Sequence, residues 1–178
     1  MKRTRKDRSK LILVLGGAAS GKSQAALDLA GHVEPRAFVA TGQALDREMK
    51  LRIERHQAAR SSDWDTAEVP VDVAKWFTEN GHSYQSIVLD CFTLWLSNMR
   101  GRRLRDEAVY HATTSLLQAI RGTGARVVIV SNELGLGLVP ATKAVRGFRD
   151  VAGWVNQQVA AEADEVYLTI SGLPLRLK

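Results

Sequence analysis

Residues 11–30 read "LILVLGGAASGKSQAALDLA", and the fold turns on how this stretch is read. An apolar, β-rich run (11–16) leads into G-x-x-x-x-G-K-[ST] at Gly16, Gly21, Lys22 and Ser23, and an amphipathic helical pattern follows. Glycines in such a turn let backbone N–H groups point inward around phosphate oxygens, and the helix start adds the positive end of its dipole. Gly16, Gly17, Ala18, Ala19, Ser20, Gly21, Lys22 and Ser23 are therefore candidate phosphate contacts. Lys22 is placed to neutralise β- and γ-phosphate charge, and the Ser23 hydroxyl to bind Mg2+. The competing reading is a plain glycine-rich turn with a chance lysine. A strand before and a helix after the motif argue against it.

Outward from this motif, short β-rich runs alternate with helical patterns. Strands are expected at 11–16, 37–41, 86–92, 126–132 and 165–170, with "LPLRLK" (173–178) as a further edge strand. The central runs are apolar without alternation, as parallel strands covered on both faces should be. Helices are expected near 22–31, 46–60, 71–80, 105–121 and 142–163. Gly147 and Gly153 in the last predict a kink or a close approach to a neighbour. The pattern gives an α/β fold, a doubly wound and mostly parallel P-loop sheet with helices on both faces. It forms one catalytic domain over 11–178, preceded by a disordered basic arm at 1–10.

The formal charge of +6 is concentrated in that arm. "MKRTRKDRSK" holds a net +5, leaving +1 for the other 168 residues. A solvated tail explains such a run better than a nucleic-acid surface, because no basic stripe continues into the domain. The arm followed by "LILVLGGAA" imitates a secretory signal, but cleavage near Ala19 or Ser20 would cut the phosphate motif. The same nine residues are too short to span a membrane. One cysteine, Cys91, excludes an internal disulfide and fits a reducing compartment, so the expected location is cytoplasmic.

Two further features carry chemistry. "SIVLDCF" (86–92) puts Asp90 at the end of a buried strand, where a P-loop protein needs its second magnesium-side carboxylate; a cap for the following "TLWLSN" segment is the alternative. "LRIERHQAAR" (51–60) puts Arg52, His56 and Arg60 at i, i+4 and i+8 on one helix face. Leu45, Met49, Ile53 and His56 also follow a helical stripe, with Leu45–Ile53 expected to face the core. Flanking cations disfavour protonation of an imidazole, and guanidinium groups match phosphate oxygens. His56 thus reads either as the wet edge of that stripe or as a nucleophile toward a nucleotide's α-phosphate.

On "GGAASGKS" (16–23), "VATGQALDREMKLRIERH" (39–56), "DWDTAE" (63–68) and "SNELGLGLVPATKAVRGFRDVAGWVNQQVAAEADEVYLTISGLPLRLK" (131–178), the chain resembles the bifunctional adenosylcobinamide kinase / adenosylcobinamide-phosphate guanylyltransferase family of cobalamin biosynthesis. The resemblance implies two reactions. ATP or GTP phosphorylates adenosylcobinamide; GTP then guanylylates a histidine, and the GMP passes to the new phosphate to give adenosylcobinamide-GDP. It places the guanylylated histidine at His56 and the nucleotide contacts at the cradle, Ala40, Thr41, Gly42, Gln57, Ala58, Ala59, Arg60, Glu68 and Asp90. It also implies Mg2+ at Ser23 and Asp90, and a homo-oligomer in the form of a propeller-like trimer. The chain departs from the family's pattern at Ala19 and Gln57, where basic residues are usual, and at Asp90, where Glu is common. Lys143, Arg146, Arg149 and Asp150 are candidates for substrate binding, a subunit contact or a salt-bridged surface. Two rivals remain open: an ordinary P-loop small-molecule kinase with a structural histidine, and a nucleotide-regulated module that uses the arm on nucleic acid.

Overall fold

The computed structural model describes residues 9–58, 62–101 and 106–178, without the side chains of Arg52, Arg55, His56 and Ala58. In chain order the strands are β1 (Lys10–Gly16), β2 (Arg36–Ala40), β3 (Trp64–Glu68), β4 (Ser86–Asp90), β5 (Arg126–Asn132), β6 (Glu165–Ile170) and β7 (Leu173–Arg176). The helices are α1 (Lys22–Ala30), α2 (Arg47–Ala58), α3 (Val73–Asn80), α4 (Phe92–Gly101), α5 (Asp106–Thr123) and α6 (Lys143–Glu162). One sheet takes all seven strands in the order β3-β2-β4-β5-β1-β6-β7. The pairings from β3 to β6 are parallel, and only β7 runs antiparallel, as a hairpin on β6.

The unalternating apolar runs behave as their composition requires. Leu11 to Val14 and Val127 to Val130 are fully buried, because each strand meets helices on both sides. The two layers are unequal. α1 covers one face through Ala25, Ala26 and Ala30, packed on Ile12, Val14, Val88, Val128 and Val130. The opposite face carries α3, α4, α5 and α6 over Leu11, Leu13, Leu15, Ile87, Leu89, Val127 and Ile129.

Several expectations need correction. β3 was not expected: its "WDTAE" buries only Trp64 fully, so it lacks the apolar signature of its neighbours. α4 was not among the expected helices, although a cap for "TLWLSN" was one reading of Asp90; the strand expected to reach residue 92 ends at Asp90. Phe92, Trp95, Leu96 and Met99 fall at i, i+3, i+4 and i+7 and are all buried, so its helical stripe is legible in hindsight. Leu45 does not face the core; it is 81% exposed and precedes α2. Gly147 and Gly153 sit in an uninterrupted helix. A methyl group at Gly147 would meet only Arg100 Nη2 at 3.9 Å, and at Gly153 nothing within 4 Å. The edge strand at 173–176 is present.

Residue 10, assigned to the arm, already belongs to β1, where Lys10 pairs with Glu165 of β6. Ser9 is buried as well, its carbonyl accepting from Arg121 Nη1 at 2.6 Å. Residues 1–8 lie outside the described residues. Among the described residues no helix is long and apolar enough to cross a membrane.

Trp95 ties α4 to the segment before α3. It is 1% exposed, its ring stacks on Phe92 with centroids 4.8 Å apart, and its Nε1 donates to the Val71 carbonyl at 2.8 Å. Trp95→Ala should cost about 3–5 kcal/mol, from lost burial and a cavity that only partly collapses. Urea unfolding measures this, and a loss below about 1 kcal/mol would contradict the packing described.

Candidate functional site

The turn after β1 is shaped by close backbone contacts. At Gly16 a Cβ would lie 2.4 Å from Ser20 Oγ and 2.8 Å from the Thr169 carbonyl oxygen. Gly21 has φ +89°, and a Cβ there would come within 2.9 Å of Gly172 Cα. Gly172 belongs to the β6–β7 turn, and its N–H donates to the Ser20 carbonyl at 2.8 Å. The hairpin therefore braces the phosphate loop from outside, a contact that the motif alone does not reveal. Ala19 also takes a positive φ, 54°, and the Ser20 N–H closes the loop on the Gly17 carbonyl at 3.3 Å. Lys22, the first residue of α1, is 8% exposed, and its Nζ donates to the Gly17 carbonyl at 3.0 Å. A lysine folded over its own loop has its ammonium where a bound phosphate would replace that carbonyl.

Beside the loop, the parallel register lines up three strand ends. Glu68 of β3 and Asp90 of β4 both pair with Ala40 of β2, so two carboxylates flank one residue. On the other side of β4, Asn132 at the end of β5 pairs with Gly16. A cavity of about 170 Å³ opens over these ends. Lys22, Ser23, Ala40, Gly42, Gln57, Glu68 and Asp90 line it, seven of the residues predicted from sequence, together with Met49, Ile53 and Asn132 among others.

α2 forms one wall of this cavity. Met49, Ile53 and Gln57 fall at i, i+4 and i+8 and all line it, so the stripe expected to face the core faces the cavity instead. Ile53 lies over Gly42, its Cδ1 3.8 Å from where a Cβ would stand there, an ordinary contact distance. His56 is in α2, three residues after Ile53 and one before Gln57. The side chains of His56, Arg52 and Ala58, and the whole of Ala59 and Arg60, lie outside the described residues.

Other predicted residues act from behind the wall. Thr41 is fully buried; its hydroxyl donates to the Cys91 carbonyl at 2.7 Å and accepts from the Cys91 N–H at 2.9 Å. Sequence reasoning missed Asn98 of α4, whose amide donates to the Thr41 carbonyl at 2.8 Å and the Pro70 carbonyl at 2.9 Å. These bonds fix the chain just past β2 and β4. Cys91 lines the cavity yet stays a thiol, because burial first and the Asp90 charge second push its pKa up. Asn132 was missed because its strand pairs with the motif's own strand only in the folded sheet, a relation the sequence does not show. Of the basic residues on α6, Arg146 holds the preceding loop by donating to the Pro140 and Ala141 carbonyls at 2.9 and 2.7 Å.

The donor set suits Mg2+, which takes one or two protein oxygens and fills its octahedron with phosphate oxygens and water. The Ser23 hydroxyl and the Asp90 carboxylate share one cavity with the lysine, and Glu68 adds a second carboxylate across Ala40.

The family described as cobinamide kinase / cobinamide phosphate guanyltransferase matches residues 12–177. The bifunctional adenosylcobalamin biosynthesis protein CobU of Escherichia coli strain K12 is 38% identical, over 94% of this chain and 99% of that one. The bifunctional adenosylcobalamin biosynthesis protein CobP of Pseudomonas aeruginosa is 38% identical, over 93% of this chain and 96% of that one. Among solved structures, the KaiC-like protein PH0186 of Pyrococcus horikoshii OT3 superposes with a TM-score of 0.52 at 12% identity, covering 90% of this chain and 71% of that chain. At that identity the likeness shows the fold alone.

Gly21→Ala tests the cradle directly. Its methyl group meets backbone, at a φ that side chains rarely adopt, and strain of about 1–3 kcal/mol should reach the loop. GTP affinity, measured by titration calorimetry, should fall by about tenfold or more. Unchanged affinity would show that this loop does not hold the phosphates.

Proposed function

The chain belongs to the cobinamide kinase / cobinamide phosphate guanyltransferase family, and on that footing we propose that the cavity beside the phosphate loop serves both reactions, with His56 as the guanylylated residue. The supporting observation is that one cavity is walled by the phosphate-loop residues Lys22 and Ser23 on one side and by Gln57, the neighbour of His56, on the other.

In the first reaction the hydroxyl oxygen of adenosylcobinamide attacks the γ-phosphorus of ATP or GTP. A new P–O bond forms, the β–γ bridge bond breaks, the nucleoside diphosphate leaves and the hydroxyl proton is released. Such a transfer is helped chiefly by positioning and charge stabilisation. The loop amides from Gly16 to Gly21, with Lys22, supply the positive field. Ser23 and Asp90 would hold Mg2+, which when bound neutralises phosphate charge. Asp90 and Glu68, on either side of Ala40, are carboxylates that line the same cavity as Lys22 and Ser23.

In the second reaction a ring nitrogen of His56 attacks the α-phosphorus of GTP. A P–N bond forms and pyrophosphate leaves. A phosphate oxygen of adenosylcobinamide phosphate then attacks the same phosphorus, the P–N bond breaks and adenosylcobinamide-GDP is released with the imidazole restored. Splitting the transfer this way replaces one difficult displacement by two easier ones. Arg52 and Arg60, a turn to either side in sequence, would keep the imidazole uncharged and meet phosphate oxygens. Gln57, Ala58 and Ala59 complete the nucleotide contacts proposed along this helix, with Thr41 acting through the backbone it braces.

We place the protein in the cytoplasm as a homo-oligomer, with a trimer as the proposed form. The row of exposed Leu173, Leu175 and Leu177 on the edge strand β7 and its continuation supports association.

Incubation with α-labelled GTP should give the protein a label that is acid-labile and alkali-stable, as a phosphoramidate is. His56→Ala should remove the label while leaving γ-phosphoryl transfer to adenosylcobinamide largely in place. Label that survives His56→Ala would move the GMP to another residue, and no label on the wild-type protein would leave an ordinary kinase with a structural histidine.

A further inference from the structure

Just behind the cavity, polar side chains close a ring of hydrogen bonds within an otherwise apolar layer. The Asn132 N–H donates to Thr93 Oγ1 at 2.8 Å, and the Thr93 and Ser131 hydroxyls are 3.1 Å apart. Ser131 Oγ donates to Asn156 Oδ1 at 2.7 Å, and Asn156 Nδ2 donates back to the Asn132 carbonyl at 3.1 Å. The direction is forced: the single Ser131 proton goes to Asn156, so Thr93 supplies the proton between the two hydroxyls. Thr93, Ser131 and Asn156 are 6%, 0% and 4% exposed. Buried polar groups are costly unless all are paired, and here all are.

The ring has a local cause. β4 stops at Asp90, opposite Val130, so Asn132 has no strand partner on that side. Side chains from α4 and α6 take the place of the missing strand and fix both backbone groups of Asn132. What they hold in place is its amide side chain, on the cavity wall with Lys22, Ser23 and Asp90. That amide stands level with Gly16, the first residue of the phosphate loop, whose carbonyl accepts from the Glu133 N–H at 3.1 Å. Its Nδ2 donates only to Cys91 Sγ, at 3.6 Å, among the described residues. A thiol is a poor acceptor, and a phosphate oxygen is a far better one.

Building on the reading of this cavity as the triphosphate site, we infer that Asn132 contacts the terminal phosphoryl group, its Nδ2 leaving Cys91 for a γ-phosphate oxygen. Thr93, Ser131 and Asn156 are its positioning residues. The contact discriminates a nucleoside triphosphate from a diphosphate and loads the site only when a phosphoryl group is there to transfer.

The test compares GDP with a non-hydrolysable GTP analogue by titration calorimetry in the presence of Mg2+. Asn132→Ala should weaken the analogue roughly ten- to hundredfold, the effect of one hydrogen bond to a charged acceptor, and GDP by less than about twofold. Thr93→Val, which keeps the shape and removes the hydroxyl, should lower the same triphosphate-to-diphosphate ratio, and Thr93→Ser should restore it. Equal weakening of both nucleotides by Asn132→Ala, or no weakening of either, overturns the inference. If Thr93→Val proves unfolded by its melting curve, the Asn132→Ala ratio decides alone. The readout requires no corrinoid. A wild-type protein that prefers the triphosphate through Asn132 but fails to phosphorylate adenosylcobinamide would sink the proposed function and leave this inference standing.

Discussion

Parallel alignment of strands is the constraint on which the rest depends. Because the pairings from β3 to β6 all run the same way, their C-terminal ends open on one edge of the sheet. The chain must leave each of these ends through a loop, and loops can carry polar groups that a buried strand cannot. The phosphate loop after β1, the glycine-bearing segment after β2, the carboxylates ending β3 and β4 and the amide ending β5 meet there for this reason alone. No pair among them is close in sequence.

Such an edge is difficult to hold still, since regular strand hydrogen bonding stops where the site begins. The chain solves this with side chains that substitute for backbone. Thr41 grips both polar groups of Cys91, Asn98 spans the Thr41 and Pro70 carbonyls, and the Thr93–Ser131–Asn156 ring secures Asn132. The β6–β7 hairpin does the same for the phosphate loop through the Gly172 N–H. Each brace is paired and mostly dry, where a hydrogen bond is strong and a broken one is expensive. These braces gather at the floor of the cavity, beside the phosphate loop. α2, on the wall, touches the site through Met49, Ile53 and Gln57 over a glycine.

The sequence made the frame legible because buried parallel strands and the phosphate motif both have signatures that survive without tertiary context. β1, β4 and β5 are apolar runs buried almost throughout, and Gly16, Gly21, Lys22 and Ser23 have a spacing with a mechanical reason. β3 escaped notice because an edge strand with one buried face reads as a polar segment. The stripe on α2 has the right period but gives no direction, since periodicity says that residues share a face and never what that face meets. Glu68 and Asp90, candidates from the sequence, line the cavity; Asn98, Asn132 and Asn156 were not singled out. A lone asparagine announces nothing in a sequence, and its role is set by partners tens of residues away.

The proposed guanylyl transfer requires the imidazole at position 56 to reach the α-phosphorus of a GTP gripped by the loop after β1. A crystal structure of the His56-intact protein with a non-hydrolysable GTP analogue and Mg2+ tests it most directly. The phosphates should lie inside the loop, with a ring nitrogen roughly 3–3.5 Å from the α-phosphorus, the separation of a reacting pair. A filled loop with the histidine well beyond that distance, on an α2 packed so that it cannot approach, would contradict it.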